Sequence, residues 1–334
     1  MEKDIIQKLK DSGLTGRGGA GFPAGVKWEA VKNASQKFSV KTYIICNAAE
    51  GEPDVFKDKF ILDNYLPEII NGIKIALNTF ENSVAYIYLN HNYYDESKDK
   101  IERTASGLPI SLVKKPDKYI AGEETSVIEV IEGKRPEPRL KPPYPTEAGL
   151  WGGPTLINNV ETFYYVSKVS KGEYKNTRFF CVSGDVKNKG VFELSENFTV
   201  KEILRQTQNF PEADFFVQVG GGACGQILLT NELNQPVCGA GSIVVYDKEK
   251  TDLFELMKKW ADFFIKGNCD KCVPCREGVY RISEMVKTRK IDKKILEDLC
   301  FVLENTSFCP LGKSAAISFK SLINKLIIPT GKLF

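Results

Sequence analysis

Hydrophobic and polar positions in this chain repeat on two periods, and the alternation between them predicts most of its elements. Ile5, Ile6 and Leu9 recur at helical spacing, with Gly13 placed to cap the end. Beyond a glycine-rich stretch the pattern predicts a helix from Trp28 to Gln36, and Thr42–Cys46 reads as a buried strand leading into the polar loop Asn47–Pro53. Helices are expected over Asp54–Leu62 and Pro67–Phe80, a strand over Ser83–Leu89, a helix over Asp95–Ser106 and a strand over Ile110–Val113. Strands alternating with helices imply an α/β domain with a largely parallel sheet. Ligands of such sheets sit outside the strand C-termini, so the loop from Asn47 is expected to face the glycine stretch across a pocket.

Ala121–Thr125 opens the next helix, which runs to Glu132. Acidic residues in a first turn favour the helix by themselves, and they can equally present a carboxylate pair to the pocket. The crossing from Gly133 to Pro154 carries six prolines with Arg135, Arg139 and Lys141 between them. Prolines stiffen a segment that has no ladder to hold it, and an ordered crossing of this length is more often functional than idle. Asn158–Thr162 then starts another helix. From Arg178 the character changes. Short strands at Phe179–Ser183, Gly190–Leu194, Phe215–Val219 and Ser242–Tyr246, with a helix at Thr199–Gln206, suggest a small β-grasp-like α+β module. After Asp252 the chain reads as helices: Leu253–Ile265, Arg276–Lys287, Lys293–Leu303 and Lys313–Ile327. The expected domains are 1–175, 176–248 and 249–334.

Composition narrows the possibilities. The chain has 334 residues, 42% hydrophobic and 27% charged, which is ordinary for a globular protein of two or three domains. A net charge of +3 is too small to argue for nucleic acid. No apolar run reaches the length of a membrane span, and Met1–Lys10 is charged and helix-like, unlike a signal peptide, so a cytoplasmic location is expected. The nine cysteines, an odd number with three in one tight run, argue for ligation in a reducing compartment. The one histidine, His91, lies in a polar stretch read as a solvated turn, so histidine-based catalysis is not expected.

Two stretches carry candidate chemistry. Gly16-Arg17-Gly18-Gly19-Ala20-Gly21-Phe22-Pro23 leaves the backbone nearly bare, with cations at Arg17 and Lys27, a combination that suits a nucleotide phosphate or a mobile surface loop. Cys269-x-x-Cys272-x-x-Cys275 can wrap one corner of an iron–sulfur cube, with a fourth thiolate from elsewhere. Cys309, before Pro310 in a loop between helices, is the best candidate for that ligand. Cys300 is its rival, but Leu296, Leu299 and Leu303 around it mark a core position. A four-cysteine zinc site is the main alternative, although zinc usually takes two separated pairs. Cys46, Cys181, Cys224 and Cys238 have no ligand spacing. A nucleotide pocket beside an iron–sulfur motif points to redox chemistry, with a flavin converting hydride to single electrons.

Gly13–Pro23, Cys46-Asn47-Ala48 with Glu50–Pro53, Gly122–Thr125, Pro138–Pro143, Asn158–Thr162 and Cys269–Gly278 resemble, in the same order, the NADH-binding flavoprotein subunit of respiratory complex I. The same subunit type serves NAD-linked and electron-bifurcating hydrogenases and NAD-linked formate dehydrogenases. The resemblance implies a Rossmann-like FMN domain, a β-grasp (SLBB) module and a helical bundle with a [4Fe-4S] cluster. It implies FMN contacts at Gly16, Arg17, Gly18, Lys27, Asn47, Glu50, Gly122, Glu123, Asn158, Asn159, Thr162 and Leu311. It places NAD(H) or NADP(H) against Phe22 and Tyr144, with Glu52, Glu124 and Lys141 as polar contacts, and Glu123 and Glu124 at the reacting end. Cys269, Cys272, Cys275 and Cys309 match the cluster ligands.

Four departures stand out. Ala49 replaces an aspartate beside the flavin, Ala30 replaces an aromatic near the adenine, and Tyr144 replaces phenylalanine. The chain also begins almost at the glycine loop and ends soon after the cluster helix. The expected function is therefore a diaphorase subunit that hands electrons to a thioredoxin-like [2Fe-2S] subunit and further iron–sulfur or catalytic subunits, associated with a membrane only through partners. A degenerate relative, with impaired FMN or NADH binding and a structural or binding role, is the alternative, and a zinc-stabilised adaptor a weaker one.

Overall fold

The computed structural model describes residues 4–38 and 40–327, the Phe38 side chain excepted, so Met1–Lys3 of the expected N-terminal helix lie outside the described residues. The chain divides into two compact units. The first comprises Met1–Gly51, Phe56–Asp117 and Ala121–Phe179, and the second Glu52–Val55, Lys118–Ile120 and Phe180–Phe334.

The first unit runs α1 (Ile5–Asp11), α2 (Ala24–Phe38), β1 (Thr42–Ala48), α3 (Lys57–Thr79), β2 (Ser83–Leu89), α4 (His91–Thr104), β3 (Ile110–Lys114), α5 (Glu124–Ile131), α6 (Pro145–Ala148), β4 (Thr155–Asn159) and α7 (Val160–Ser170). Its four strands lie in the order β3-β2-β1-β4, all parallel. Strand β4 is absent from the pattern-based reading, which placed only a helix start there. Its five residues are too short to show a period, and it exists because β1 is available to pair with it, Cys46 opposite Asn158 and Asn47 opposite Asn159. The chain leaves β1 in one direction to build β2 and β3 and returns on the other side as β4. That makes the β1/β4 boundary the switch point, where such sheets open a crevice for ligands.

The two helices expected around Pro67 are one helix, α3, bent at Tyr65 (φ −132°, ψ 29°). Pro67 has no N–H for the carbonyl four residues earlier, and its ring crowds that turn. Further along α3, a Cβ on Gly72 would fall 2.0 Å from the Phe163 carbonyl oxygen, so glycine sets how closely α3 and α7 approach. His91 is not in a turn. It is the first residue of α4, where the Asn90 side chain caps the helix by accepting from Asn92 N–H.

The second unit contains β5 (Thr177–Gly184) from Phe180 onward, β6 (Gly190–Ser195), α8 (Val200–Gln206), β7 (Phe215–Val219), β8 (Gln226–Leu229), β9 (Ser242–Asp247), α9 (Leu253–Gly267), α10 (Val273–Thr288), α11 (Lys293–Thr306) and α12 (Pro310–Leu322). The sheet order is β6-β5-β9-β7-β8, with β9 parallel to β5 and antiparallel to β7. One face buries Val217, Ile243 and Val245 against Val200, Ile203 and Leu204 of α8. Phe216, Ala223 and Ile227 share a second core with Trp260 and Phe264 of α9, Ile282 of α10 and Phe319 of α12. The β-grasp-like segment and the helical segment are therefore packed on common apolar surface. Helices α10 and α12 begin three residues earlier than the periodicity predicts, because Pro274 and Pro310, which lack an N–H, suit a first turn whose N–H groups have no intrahelical acceptor.

Candidate functional site

In the first unit the glycine loop closes on itself: Gly16 N–H donates to Phe22 O at 2.8 Å and Ala24 N–H to Leu14 O at 2.9 Å. Gly19 (φ 117°) and Gly21 (φ 65°) take left-handed backbone that a side chain would strain. The loop also lies tight on the end of β4, since a Cβ on Gly18 would come 3.3 Å from Asn159 Cβ. Arg17 N–H donates to Thr162 Oγ1 at 2.9 Å, which ties the loop to the first turn of α7. The Arg17 guanidinium has partners within the protein. It is buried, donates to Tyr174 Oη at 2.8 Å and lies over the Tyr165 ring at 5.6 Å. It anchors the loop from inside.

Lys27 of α2 supplies the remaining charge, with Nζ 3.0 Å from Ile157 O and 3.4 Å from Glu124 Oε2. Lys141 closes the set on the Glu123 and Glu124 carboxylates. Burial would raise the Glu124 pKa, but Lys27 and Lys141 outweigh it and hold this carboxyl below the usual range. Glu123 has two duties. Its Oε2 accepts from Thr125 N–H (2.9 Å) and Ser126 N–H (3.0 Å), capping α5, while Oε1 is 3.4 Å from Lys141 Nζ. The helix-start reading of the Gly122–Thr125 acids thus holds, and both carboxylates also pair with Lys141. The proline crossing is pinned by Arg139, which pairs with Glu129 and Glu132 and donates to Gly149 O at 2.9 Å. The aromatic faces of Phe22 and Tyr144 are half exposed, at 51% and 53%, and so open to a flat ligand.

At the switch point Asn47 donates to Gly122 O (3.0 Å) and accepts from Ala49 N–H (3.1 Å). Asn159 caps α7 through Glu161 N–H (2.9 Å) and donates to Asp58 Oδ2 (2.6 Å). Asn158, oriented to satisfy its neighbours, accepts from the Trp28 indole N–H at 3.0 Å and so fixes α2. Glu50 accepts from Lys57 N–H (3.1 Å) and Asp58 N–H (3.0 Å) at the start of α3. Burial, then the Asp58 charge, push its carboxyl up to about 8 against the pull of Lys57 and these two amides. Beneath these residues lies a set the sequence reading missed. Lys57 is buried with its Nζ 2.7 Å from Asp58 Oδ1 and 2.7 Å from Glu161 Oε2. The only signal was an unexplained Lys57-Asp58 pair beside an apolar helix.

In the second unit Cys269, Cys272, Cys275 and Cys309 line one cavity with Ile120, Asn268, Asp270, Lys271, Phe308 and Leu311. Cys272 precedes the first turn of α10, Cys275 sits within it, and Cys309 precedes the first turn of α12. Two helix N-termini thus converge on the thiols, which favours negative charge there. Burial, then the charges of Cys272, Cys309 and Cys269, push the Cys275 thiol up to about 12 in the absence of a cation. Gly312 makes the approach possible, since a Cβ there would lie 2.4 Å from Ser307 Oγ and 3.1 Å from Cys275 Cβ. Cys300 is elsewhere, buried on α11 with its Sγ 4.0 Å from Ala316 O. Four thiols on one cavity, with convergent helix dipoles, fit an anionic iron–sulfur cluster. Glu52 also belongs to this unit. Its Oε1 accepts from Tyr119 Oη–H (2.6 Å), and its Oε2 from Ala223 N–H (2.9 Å) and Cys224 N–H (3.3 Å), so both oxygens already have protein partners.

Residues 9–168 match the family described as the Nuo51 FMN-binding domain, and residues 255–326 match the NADH-ubiquinone oxidoreductase-F iron-sulfur binding region. The chain is 32% identical to the mitochondrial NADH dehydrogenase (ubiquinone) flavoprotein 1 of Dictyostelium discoideum, over 96% of this chain and 78% of that protein. It is 31% identical to the NAD-reducing hydrogenase HoxS subunit alpha of Cupriavidus necator, over 94% of this chain and 58% of that one. Among solved structures, a chain of an NAD+-reducing [NiFe]-hydrogenase in the H2-reduced state superposes with a TM-score of 0.88 at 28% identity, covering 99% of this chain and 62% of that one.

Proposed function

We propose, from the premise that this chain belongs to the NADH-ubiquinone oxidoreductase-F family, that it is the diaphorase subunit of a multi-subunit oxidoreductase. A hydride from NAD(P)H would bring two electrons and a proton; the electrons would leave one at a time through the four-cysteine site to an iron–sulfur centre on a partner, and the proton would go to solvent. When bound, FMN supplies the exchange between an electron pair and single electrons, and the [4Fe-4S] cluster carries them singly. The observation that supports this reading best is the cavity shared by Cys269, Cys272, Cys275 and Cys309, on the same chain as an FMN-binding domain.

This chain's own residues have distinct parts in the proposal. Gly16 and Gly18 let the backbone approach the flavin closely, and Arg17 holds that loop from within. The first turn of α7 at Asn159–Thr162 receives the phosphate, with Lys27 as the nearby cation. Asn47, Glu50, Gly122 and Glu123 line the ring edge, and Asn158 fixes α2 beside it. Phe22 and Tyr144 stack against the dinucleotide, and Glu124 and Lys141 orient it. Glu52, already bonded on both oxygens, orders the Gly221–Cys224 turn of the second unit. The partner is a thioredoxin-like [2Fe-2S] subunit in a cytoplasmic assembly. Among the described residues no helix is long and apolar enough to cross a membrane.

The test is anaerobic reduction of the purified, reconstituted chain. Addition of NADH or NADPH bleaches the flavin absorbance, and Glu123→Ala loses flavin while retaining iron and sulfide. Bound FMN that neither nucleotide bleaches would count decisively against the proposal. A structural or binding role remains the second reading, favoured by Ala49 and Ala30. Failure to take up FMN at all would select it.

A further inference from the structure

Three residues far from the cysteine run in sequence, Lys118–Ile120, belong to the second unit. They lie along the last turn of α9 and the loop that follows it. The Tyr119 ring centre is 4.6 Å from that of Phe263, and a Cβ on Gly267 would come 2.8 Å from Tyr119 Cβ. Ile120 is buried and lines the cavity of the four thiols. Lys118 reaches the loop itself. Its Nζ donates to Asn268 O at 3.3 Å and lies 3.9 Å from Asp270 Oδ2. Cys269 stands between those two residues.

The loop is also held by its own side chains and by Arg276. Asn268 is buried, accepts from Asp270 N–H at 2.7 Å, and donates to Phe264 O and Ile265 O, both at 3.1 Å. Asp270 takes left-handed backbone (φ 60°), and its carbonyl accepts from Arg276 Nη1 at 3.2 Å. Lys118 therefore contributes a cation on the Asn268 side of Cys269 and Arg276 one on the other, alongside Lys271, which lines the cavity itself.

We propose that Lys118 is a positioning residue for the iron–sulfur site, holding the Asn268–Asp270 turn around Cys269 and raising the reduction potential of the centre bound there. This rests on the reading of the four-thiol cavity as a cluster site. Four thiolates and a cluster core carry net negative charge, and reduction adds one more. A fixed cation beside the ligand loop stabilises the more negative state and so moves the potential upward. Because the Lys118 side chain is 36% exposed, salt weakens the effect.

The test uses the full chain with its cofactors, in anaerobic redox titrations followed by low-temperature electron paramagnetic resonance of the reduced cluster. Lys118→Met lowers the midpoint potential, Lys118→Glu lowers it further, Lys118→Arg restores it, and the separation between variants shrinks in high salt. Equal potentials for the wild type, Lys118→Met and Lys118→Glu, with iron and sulfide intact, overturn the proposal. Where Lys118→Met does not accumulate, Lys118→Gln keeps a donor for Asn268 O without the charge, and an unchanged potential in that variant is equally fatal. A wild-type chain that binds no iron or sulfide would instead remove the cluster reading itself.

Discussion

Replacing Lys57 by methionine tests whether the floor of the nucleotide site is held by charge. The Lys57 ammonium lies 2.7 Å from each of two carboxylates, and the side chains of Lys57, Asp58 and Glu161 are 2%, 5% and 0% exposed. Methionine keeps most of the volume and removes the charge, leaving two buried carboxylates without their shared cation. Each retains one neutral donor, Asn159 Nδ2 at 2.6 Å for Asp58 and Phe179 N–H at 2.9 Å for Glu161. Removing one partner from a buried ion pair costs about 3–5 kcal/mol, and the surviving donors keep the loss within that range. That is a large part of the ~5–15 kcal/mol available to a native domain. Burial alone would lower the Lys57 pKa, but the Asp58, Glu161 and Glu50 carboxylates outweigh it and push it up. A lysine whose folded pKa is raised contributes stability fully below its unfolded value, and loses it only as pH climbs through the folded one. The part of the gap that comes from the Lys57 charge should therefore be fully present at pH 7, below the region near pH 8 where Glu50, itself held down by Lys57, begins to titrate. Urea unfolding of the flavin-free chain, followed by the fluorescence of buried Trp28 and by circular dichroism, measures it. A loss under about 1 kcal/mol would show that the triad is not the support described here.

Three further outcomes follow from the same geometry. Lys115 is 3% exposed, and burial pulls its pKa down to about 8 against the opposing charge of Asp117. Below that pH both states are charged and the fold bears the full cost, while above it only the unfolded chain holds the proton. Lys115→Met should therefore stabilise the protein by about 1–3 kcal/mol at pH 7, with the gain fading toward the ordinary lysine pKa, as thermal unfolding across pH would show. Gly72→Ala drives a Cβ to within 2.0 Å of the Phe163 carbonyl oxygen and should cost about 3 kcal/mol in chemical unfolding, whereas a neutral result would mean that α3 and α7 part easily. Cys309→Ser should lose most bound iron and sulfide, while Cys300→Ser keeps them at some cost in stability, and the reverse pattern would exchange their roles.

Local pattern and spacing determined much of this protein. Helical and strand periods placed most elements, the triplet at Cys269, Cys272 and Cys275 pointed to a cluster, and the leucines around Cys300 left Cys309 as the best candidate for a fourth ligand. These features are legible because each depends on residues close in sequence, through side-chain periodicity or ligand reach. Tertiary structure alone decided the rest. Strand β4 exists by pairing with β1, and the Arg17 guanidinium donates to Tyr174, 157 residues away. Lys57 finds Glu161 across 104 residues, and Lys118 finds Asn268 across 150. No local period encodes such partners, because a buried charge or an unpaired strand edge is satisfied by whatever the fold brings near, and that is settled only when the chain packs.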